Sequence, residues 1–165
     1  MIDVEELDYD RLDDLLSMLR ERAAWLEAKG MAMWDPTYLE RDAFVARYGD
    51  PACFVFRDGD EAVGGFILVD RDEAWQERGG EDACYVHKLV VRPRFAGRGY
   101  AEEALGWILD FAEARGIDAV RLDYYADRPY LARLYAACGF AALPDRVMPD
   151  GTRITPAEAR LPRDR

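Results

Sequence analysis

Apolar residues recur along the chain at two different spacings, which predict alternating helices and strands. Leu12, Leu16 and Leu19 lie on one face of a 3.6-residue period, which predicts an amphipathic helix that ends near Gly30. Short runs rich in Val, Ile and Phe predict strands, because such side chains suit a pleated surface. Helices are therefore expected at 9–28, 36–48, 99–115 and 127–138, and strands at 2–7, 53–57, 62–69, 85–91, 119–124, 140–143 and 154–161.

Glycine-containing segments separate these elements. Asp58-Gly59-Asp60 predicts a hairpin turn, Pro149-Asp150-Gly151 predicts a turn before the last strand, and the polar segment 73–82, which contains Gly79-Gly80, predicts a loop. The strands at 85–91 and 119–124 are joined through a helix, so they are expected to be parallel.

The junction at 89–101, with the sequence Leu-Val-Val-Arg-Pro-Arg-Phe-Ala-Gly-Arg-Gly-Tyr-Ala, is the most informative stretch. An apolar strand enters a turn, and a helix begins after its second glycine. Gly97 and Gly99 allow a tight turn and a close approach to a ligand. The N-terminal amides of the helix have no intrahelical acceptor and carry the positive end of its dipole. This arrangement predicts an anion site, typically for phosphate, to which Arg94 and Arg98 add positive charge.

Two common phosphate-binding motifs do not fit this junction. A P-loop requires Lys-Ser/Thr after its last glycine, but Gly99 is followed by Tyr100-Ala101. A dinucleotide fingerprint requires a third Gly or Ala, and Glu102 stands at that position. The remaining pattern is Arg-x-x-Gly-x-Gly at 94–99, and a plain strand-to-helix turn is its alternative interpretation.

Composition and charge narrow the class of protein. The 165 residues are half apolar, which predicts a single domain over 1–165 with one sizeable core. A net charge of −11 argues against nucleic-acid binding through a basic surface. It would attract a cationic ligand such as an amine, and its alternative interpretation is solubility. Cys53, Cys84 and Cys138 are far apart, and His87 is the single histidine, so no metal site is expected.

The chain shows no targeting or membrane signal. Its first residues contain neither a basic region nor an apolar run, so no signal peptide is predicted. No stretch approaches about 18 consecutive apolar residues, which argues against a membrane span. These features predict a cytoplasmic protein with reduced thiols and without a membrane partner.

Two motifs carry a resemblance to a known family. Arg94-Phe95-Ala96-Gly97-Arg98-Gly99 resembles the acetyl-coenzyme A pyrophosphate loop of the GNAT superfamily of N-acetyltransferases. The segment 134–140, Leu-Tyr-Ala-Ala-Cys-Gly-Phe, is similar to the family's Leu-Tyr-x-x-x-Gly-Phe ending of the helix beside the coenzyme. The predicted order of elements is similar to the family's over nearly the whole chain. One position departs: Arg128 stands where the family often has an Asn that contacts the pantetheine arm.

The resemblance implies a fold and a cosubstrate. The fold would be α+β, with a mixed central sheet of about six to seven strands flanked by about four helices. Acetyl-CoA, without a metal, would lie between the strands at 85–91 and 119–124, with the Val90 and Val91 amides polarising the acetyl oxygen. The resemblance thus assigns coenzyme binding to Leu89, Val90, Val91, Arg94, Phe95, Ala96, Gly97, Arg98, Gly99, Tyr100 and Ala101.

The same resemblance suggests an acid and a base. Tyr135 would protonate the leaving thiolate, since an unperturbed tyrosine pKa of about 10 keeps its hydroxyl protonated at neutral pH. His87 is the candidate base, because histidine alone has an unperturbed pKa near 6.5 and some arylalkylamine acetyltransferases carry a histidine at the matching place. A structural role is the alternative for both residues, and a water chain from Glu81 or Asp82 is another route for the proton. Cys84 and His87 lie on opposite strand faces, so direct transfer without an acyl-enzyme is expected.

The acceptor side is less defined. Trp34, in the loop between the first two helices, and Asp123, Tyr124 and Tyr125, at the end of a strand, are the candidate acceptor-binding residues. Small amines, amino acids, aminoglycoside-like antibiotics and protein N-termini all remain open as acceptors, and the family suggests a homodimer. The alternatives are a GNAT-fold acyl-CoA sensor, a longer-chain acyltransferase, or a phosphate- or nucleotide-binding module of another fold.

Overall fold

The elements of the chain are given by a computed structural model that describes residues 1–78 and 81–163. The α-helices of that part are α1 (Leu12–Ala28), α2 (Arg41–Tyr48), α3 (Tyr100–Ala114) and α4 (Pro129–Ala137). The strands described there are β1 (Asp3–Glu6), β2 (Ala52–Asp58), β3 (Glu61–Val69), β4 (Ala83–Val91), β5 (Ala119–Tyr125), β6 (Ala141–Ala142), β7 (Arg146–Val147) and β8 (Arg153–Arg160). Parallel and antiparallel pairs both occur, so the predicted α+β fold with a mixed sheet is confirmed, with eight strands rather than six or seven.

The chain divides into two compact units, and β4 contributes to both. The first unit comprises Met1–Val69 and His87–Ala104. In it, β1, β2 and β3 pair in antiparallel order, with Val4 opposite Phe56 and Phe54 opposite Phe66. The buried face of α1 packs on these strands through its leucines. The core of this unit is Leu12, Leu15, Leu16, Leu19, Phe44, Val55, Ile67 and Val90 with their buried neighbours.

Gly64 allows β3 to approach β4 closely. A Cβ at this position would lie 2.1 Å from the Val90 carbonyl oxygen and 2.4 Å from the ring of Phe56. No side chain fits at such distances, so Val90 can take its position only because residue 64 is a glycine. Val90 is 2% exposed there.

The second unit comprises Asp70–Val86 and Leu105–Arg165. Its part of β4 pairs in parallel with β5, with Ala83 opposite Ala119 and Tyr85 opposite Arg121, as the helical connection predicts. Strand β8 then pairs in antiparallel order with β5, β6 and β7.

A cluster of charged side chains surrounds the buried Arg121 in the second unit. The Arg121 side chain is 1% exposed and lies 3.1 Å from Glu158, 2.9 Å from Glu81 and 3.0 Å from the Tyr85 hydroxyl. Arg160 contacts both carboxylates from the outer side. Each charge of the cluster therefore has an opposite partner, which is the condition for burying a guanidinium.

Arg121→Met is expected to lower the free energy of unfolding by about 3–5 kcal/mol, because it leaves Glu158 buried without its main partner. Urea unfolding of the variant measures this. The double variant Arg121→Met/Glu158→Gln is expected to recover part of the loss, since it also removes the unpaired charge. Equal stability of wild type and Arg121→Met would show that the cluster contributes nothing.

Several predicted elements differ from the structure. The helix expected at 9–28 begins with a 3₁₀ helix, Tyr9–Arg11, before α1. The helix expected at 36–48 is split into a 3₁₀ helix, Pro36–Leu39, and α2, because the backbone at Glu40 is extended (φ −82°, ψ 147°). The predicted loop 73–82 contains a 3₁₀ helix at Glu73–Arg78, while Gly79-Gly80 lie outside the described residues. Helix α4 begins at Pro129, a residue preorganised for a first helical turn, rather than at 127.

Within residues 1–78 and 81–163, no helix is long and apolar enough to cross a membrane. The same residues contain no group of three His, Cys, Asp or Glu side chains arranged to hold a metal ion.

Candidate active site

The glycine turn is anchored at its start by Arg92. Its backbone N–H donates to the Val63 carbonyl at 2.8 Å, and its guanidinium donates to the Ala62 carbonyl at 3.2 Å and to Glu21 at 3.1 Å. A short 3₁₀ helix, Pro93–Phe95, follows. The hydrogen bonds of Arg92 therefore fix the position at which the turn begins.

Gly97 and Gly99 adopt the left-handed backbone conformation that the motif predicted, with φ of +76° and +82°. A Cβ built on either glycine would have no described atom within 4 Å, so both face open space. Helix α3 starts directly after them, and Glu103 makes its first-turn bond by donating to the Gly99 carbonyl at 3.1 Å. The N–H groups ahead of Glu103 have no acceptor within the helix, and they are suited to bind an anion.

Phe95 supports the basic side chains of the turn. It is buried, and the guanidinium carbons of Arg94 and Arg98 lie 4.6 and 5.6 Å from its ring centroid. Arg94 also donates to Glu61 at 2.8 Å, so its charge is already partnered. The Tyr100 hydroxyl donates to Asp58, and this hydrogen bond is the main cause that raises the pKa of Tyr100.

His87 lies in the first unit with two aromatic side chains near its position on β4. Its ring is partly buried and is 5.7 Å from that of Tyr48. The next residue, Lys88, has a φ of +55°, which is rare for a residue with a side chain, and its ammonium lies 5.5 Å from the Trp34 ring centroid. Trp34 packs against the core of this unit. The structure thus brings Trp34 near Lys88, the residue that follows His87 on β4. No pattern in the sequence had pointed to Lys88.

The remaining β4 candidates differ in exposure. Leu89 and Val91 are partly buried, and Val90 is buried against β3. Their place is set by the pairing of β4 with β3 and by the close contact at Gly64.

Tyr135, in the second unit, stands in an aromatic cluster at the end of α4. Its ring stacks on Tyr124 at 5.3 Å and meets Phe140 edge-on at 6.0 Å. Burial is the main cause that raises the pKa of Tyr135 well above its ordinary value, and the negative charge of Asp123 adds to it. The hydroxyl is therefore held in its neutral, proton-carrying form.

Strand β5 distributes the three acceptor candidates over two faces. Successive strand residues alternate, so Tyr124 points to the side of Tyr135, while Asp123 and Tyr125 point to the other. Asp123 lies opposite Pro156 of β8, and burial is the main cause that raises the pKa of Tyr125. The three residues therefore cannot all line one surface.

Arg128, which stands where the resemblance would often place an asparagine, directly precedes α4. It is 9% exposed, and its guanidinium lies 5.5 Å from the Tyr125 ring and 3.3 Å from Asp127. Its carbonyl accepts the Leu131 N–H at 3.0 Å. Its backbone starts the helix and its side chain covers Tyr125.

Glu81, Cys53 and Cys84 have surroundings that bear on proton transfer and nucleophilic attack. Glu81 bonds with Arg160 and Arg121, and the Arg160 hydrogen bond is the main cause that lowers its pKa. Burial raises the pKa of Cys53 and of Cys84 to about 11, so both thiols are protonated at neutral pH. Neither cysteine is activated as a nucleophile.

A strand, a glycine turn with open amides and a helix start are typical of proteins that bind a phosphate-bearing ligand. The chain belongs to the acetyltransferase (GNAT) family, whose model matches residues 15–140.

Individual relatives agree with this assignment. The chain is 25% identical over 139 residues to an uncharacterized N-acetyltransferase of Bacillus subtilis, YesJ, covering 80% of this chain and 77% of the relative. A GNAT-family acetyltransferase structure from Listeria monocytogenes has a TM-score of 0.76 at 15% identity, with 97% and 95% of the two chains covered. A putative acetyltransferase from Salmonella typhimurium, solved with its cofactor acetyl-CoA, has a TM-score of 0.68 at 14% identity, with 98% and 94% covered. The two structures show that the fold is shared.

Proposed function

We propose that this protein transfers an acetyl group from acetyl-CoA to a primary amine by direct attack in a ternary complex. The observation that carries the proposal is the turn at Gly97 and Gly99, where left-handed glycines and a helix start leave open amides at an unobstructed surface. Membership of the acetyltransferase (GNAT) family supports acetyl-CoA as the phosphate-bearing ligand.

The coenzyme would be held mainly by backbone groups. Amides from Arg94 to Ala101 would bind the pyrophosphate, with Arg98 adding charge beside Phe95. The amides of Val90 and Val91 would donate to the acetyl oxygen as negative charge develops there. One such donor, aimed at a developing oxyanion, contributes roughly 3 kcal/mol.

Tyr135 would act on the thiolate that leaves. Because its pKa is raised, Tyr135 gives up its proton less readily than an ordinary tyrosine. Its hydroxyl would therefore stabilise the departing sulfur mainly by a hydrogen bond, before the proton is transferred. Burial raises the pKa of a thiol as well, as Cys84 shows in this chain, and therefore favours reprotonation of a buried leaving thiolate. A neutral tyrosine fits this role over the whole physiological pH range.

His87 would receive the proton from the acceptor ammonium, directly or through water. It is partly buried, so water can reach its surroundings. Cys53 and Cys84 are buried, protonated thiols, so neither is suited to form an acyl-enzyme, and the amine would attack the thioester directly. The net charge of −11 would attract a cationic acceptor.

Two experiments test the proposal. Thermal unfolding with coenzyme A, ATP and NAD in parallel should show stabilisation by coenzyme A alone, about 2.7 kcal/mol at a hundred times the dissociation constant. A panel of amines with acetyl-CoA should then release free thiol. Stabilisation without thiol release from any amine would favour an acyl-CoA sensor, and release only with longer acyl thioesters would favour a longer-chain acyltransferase.

His87→Gln is expected to slow the reaction most at neutral pH and to remove one ionisation from the acidic limb of kcat/KM. A base must lose its proton to work, so kcat/KM of the wild type should rise with pH through that ionisation. The pH profile must be measured with one amine for both proteins, because the amine also ionises.

His87→Ala serves as the second variant, since it removes the polar group as well. An acidic limb that persists unchanged in both variants would assign it to the amine or to a water chain. Full activity of His87→Gln with loss in His87→Ala would restrict His87 to acceptor contact.

A further inference from the structure

The second unit contains a cavity that none of the roles above uses. Its volume is 270 Å³. The apolar part of the lining includes Trp75, Leu143, Pro144 and Pro156. The charged residues of the lining are Asp145 and Arg146. A cavity of about 150 Å³ holds a benzene ring, so this one has room for a ring with a short chain.

The cavity walls are fixed by hydrogen bonds and by packing. The Ala74 N–H donates to the Asp72 carboxylate and the Trp75 N–H to the Asp72 carbonyl, both at 2.9 Å, which fixes the turn that carries Trp75. The Trp75 indole lies over the buried guanidinium of Arg121, 5.0 Å from ring centroid to carbon. A rigid indole wall is therefore present before any ligand binds.

Hydrogen bonds to β8 hold the wall that contains Leu143 and Asp145. The Leu143 N–H donates to the Pro156 carbonyl at 2.8 Å. The Thr155 hydroxyl donates to Asp145 at 2.7 Å, which keeps that carboxylate at the margin of the cavity. This wall is thus tied to β8, while the wall with Trp75 is fixed by its own turn.

The register of the sheet places this cavity beside a predicted acceptor residue. Pro156 on β8 is directly opposite Asp123 on β5, so their side chains share one face, with Cβ atoms roughly 5 Å apart. A molecule seated against Pro156 can therefore reach the Asp123 carboxylate with a cationic group.

We propose that this cavity is the acceptor subsite, and that it takes the flat, apolar, ring-sized body of a primary amine whose ammonium group pairs with Asp123. The inference rests on the proposed acetyl transfer and adds the class of its acceptor. Indole and proline rings favour a flat apolar group, and the adjacent Asp145 and Arg146 carry opposite charges, so together they select neither an anion nor a cation.

Filling the cavity tests the proposal. Ala74 lines it, and Ala74→Leu adds three carbon atoms to its wall. The probes are 2-phenylethylamine, which has a ring, and ethylamine, which does not. The ratio of kcat/KM for the two amines is expected to fall at least tenfold, because even one methylene group in an apolar pocket changes discrimination by about 10–200-fold. Turnover of ethylamine and affinity for coenzyme A are expected to stay unchanged.

Val147→Leu is the matched control, since Val147 is exposed on β7 and its neighbour Arg146 lines the cavity instead. Leu143→Trp fills the same space from the other wall and replaces Ala74→Leu if that variant does not fold. An unchanged ratio in a folded cavity-filling variant, with both amines acetylated, overturns the subsite. Absence of acetylation of every amine by the wild type overturns the proposed function instead, and the subsite with it.

Discussion

Gly97→Glu is expected to abolish acetyl-CoA binding in a chain that stays folded. The glycine faces open space, so an added Cβ meets no described atom within 4 Å. Its carboxylate would occupy and repel the pyrophosphate at the turn where the amides converge. Calorimetric titration with coenzyme A, together with a thermal unfolding curve of the free protein, measures both parts of this expectation.

The variant also carries a conformational cost that must be separated from the loss of binding. A residue with a side chain at φ +76° costs roughly 1–2 kcal/mol. Gly30→Glu is the matched control, because Gly30 has a φ of +70° and similarly open surroundings at the end of α1. Gly97→Gln separates bulk from charge. Wild-type affinity in folded Gly97→Glu would overturn the assignment of the coenzyme to this turn.

Tyr135→Phe is expected to lower kcat by about 10²- to 10⁴-fold with little change in coenzyme affinity. Phenylalanine keeps the stacking on Tyr124 and the edge contact with Phe140, so only the hydroxyl is removed. Single-turnover acetylation at saturating acetyl-CoA isolates the step. Tyr130→Phe, a hydroxyl deletion on the same helix, is the control, and near wild-type turnover of Tyr135→Phe would leave Tyr135 with packing alone.

The pH dependence adds an independent check. Because burial raises the pKa of Tyr135, the hydroxyl stays protonated through pH 7 and up to at least about pH 10, the ordinary tyrosine value. Ionisation of Tyr135 should therefore produce no fall in kcat below about pH 10. A falling limb between pH 8 and 9 that disappears in Tyr135→Phe would contradict the raised pKa.

The parts of the fold that follow local rules could be predicted from the sequence. The helical spacing of Leu12, Leu16 and Leu19 located α1, and the left-handed turn at Gly97 and Gly99 agrees with what its motif requires. Such features depend on period and on backbone geometry, which a sequence displays directly. The single domain expected over residues 1–165 stays a prediction, since the chain divides into two compact units.

The features that depend on distant neighbours could not be predicted. Arg121 is a charged residue in a predicted strand, and its partners Glu81 and Glu158, which are distant in sequence, explain its burial. The positive φ of Lys88 has no local signal, since lysine is not favoured in that conformation. The cavity at Trp75 depends on a segment predicted as a plain loop. In each case tertiary contacts outweigh local preference.

The close approach of Gly64 to Val90 restricts how this chain can be varied. Any side chain at position 64 would displace the strand whose Val90 and Val91 amides are proposed to hold the acetyl oxygen. A combinatorial library for new acceptors can randomise the cavity positions Ala74, Leu143 and Arg146 but should keep codon 64 fixed. Position 64 touches no proposed ligand, so a screen that randomised it would lose variants through a misplaced backbone.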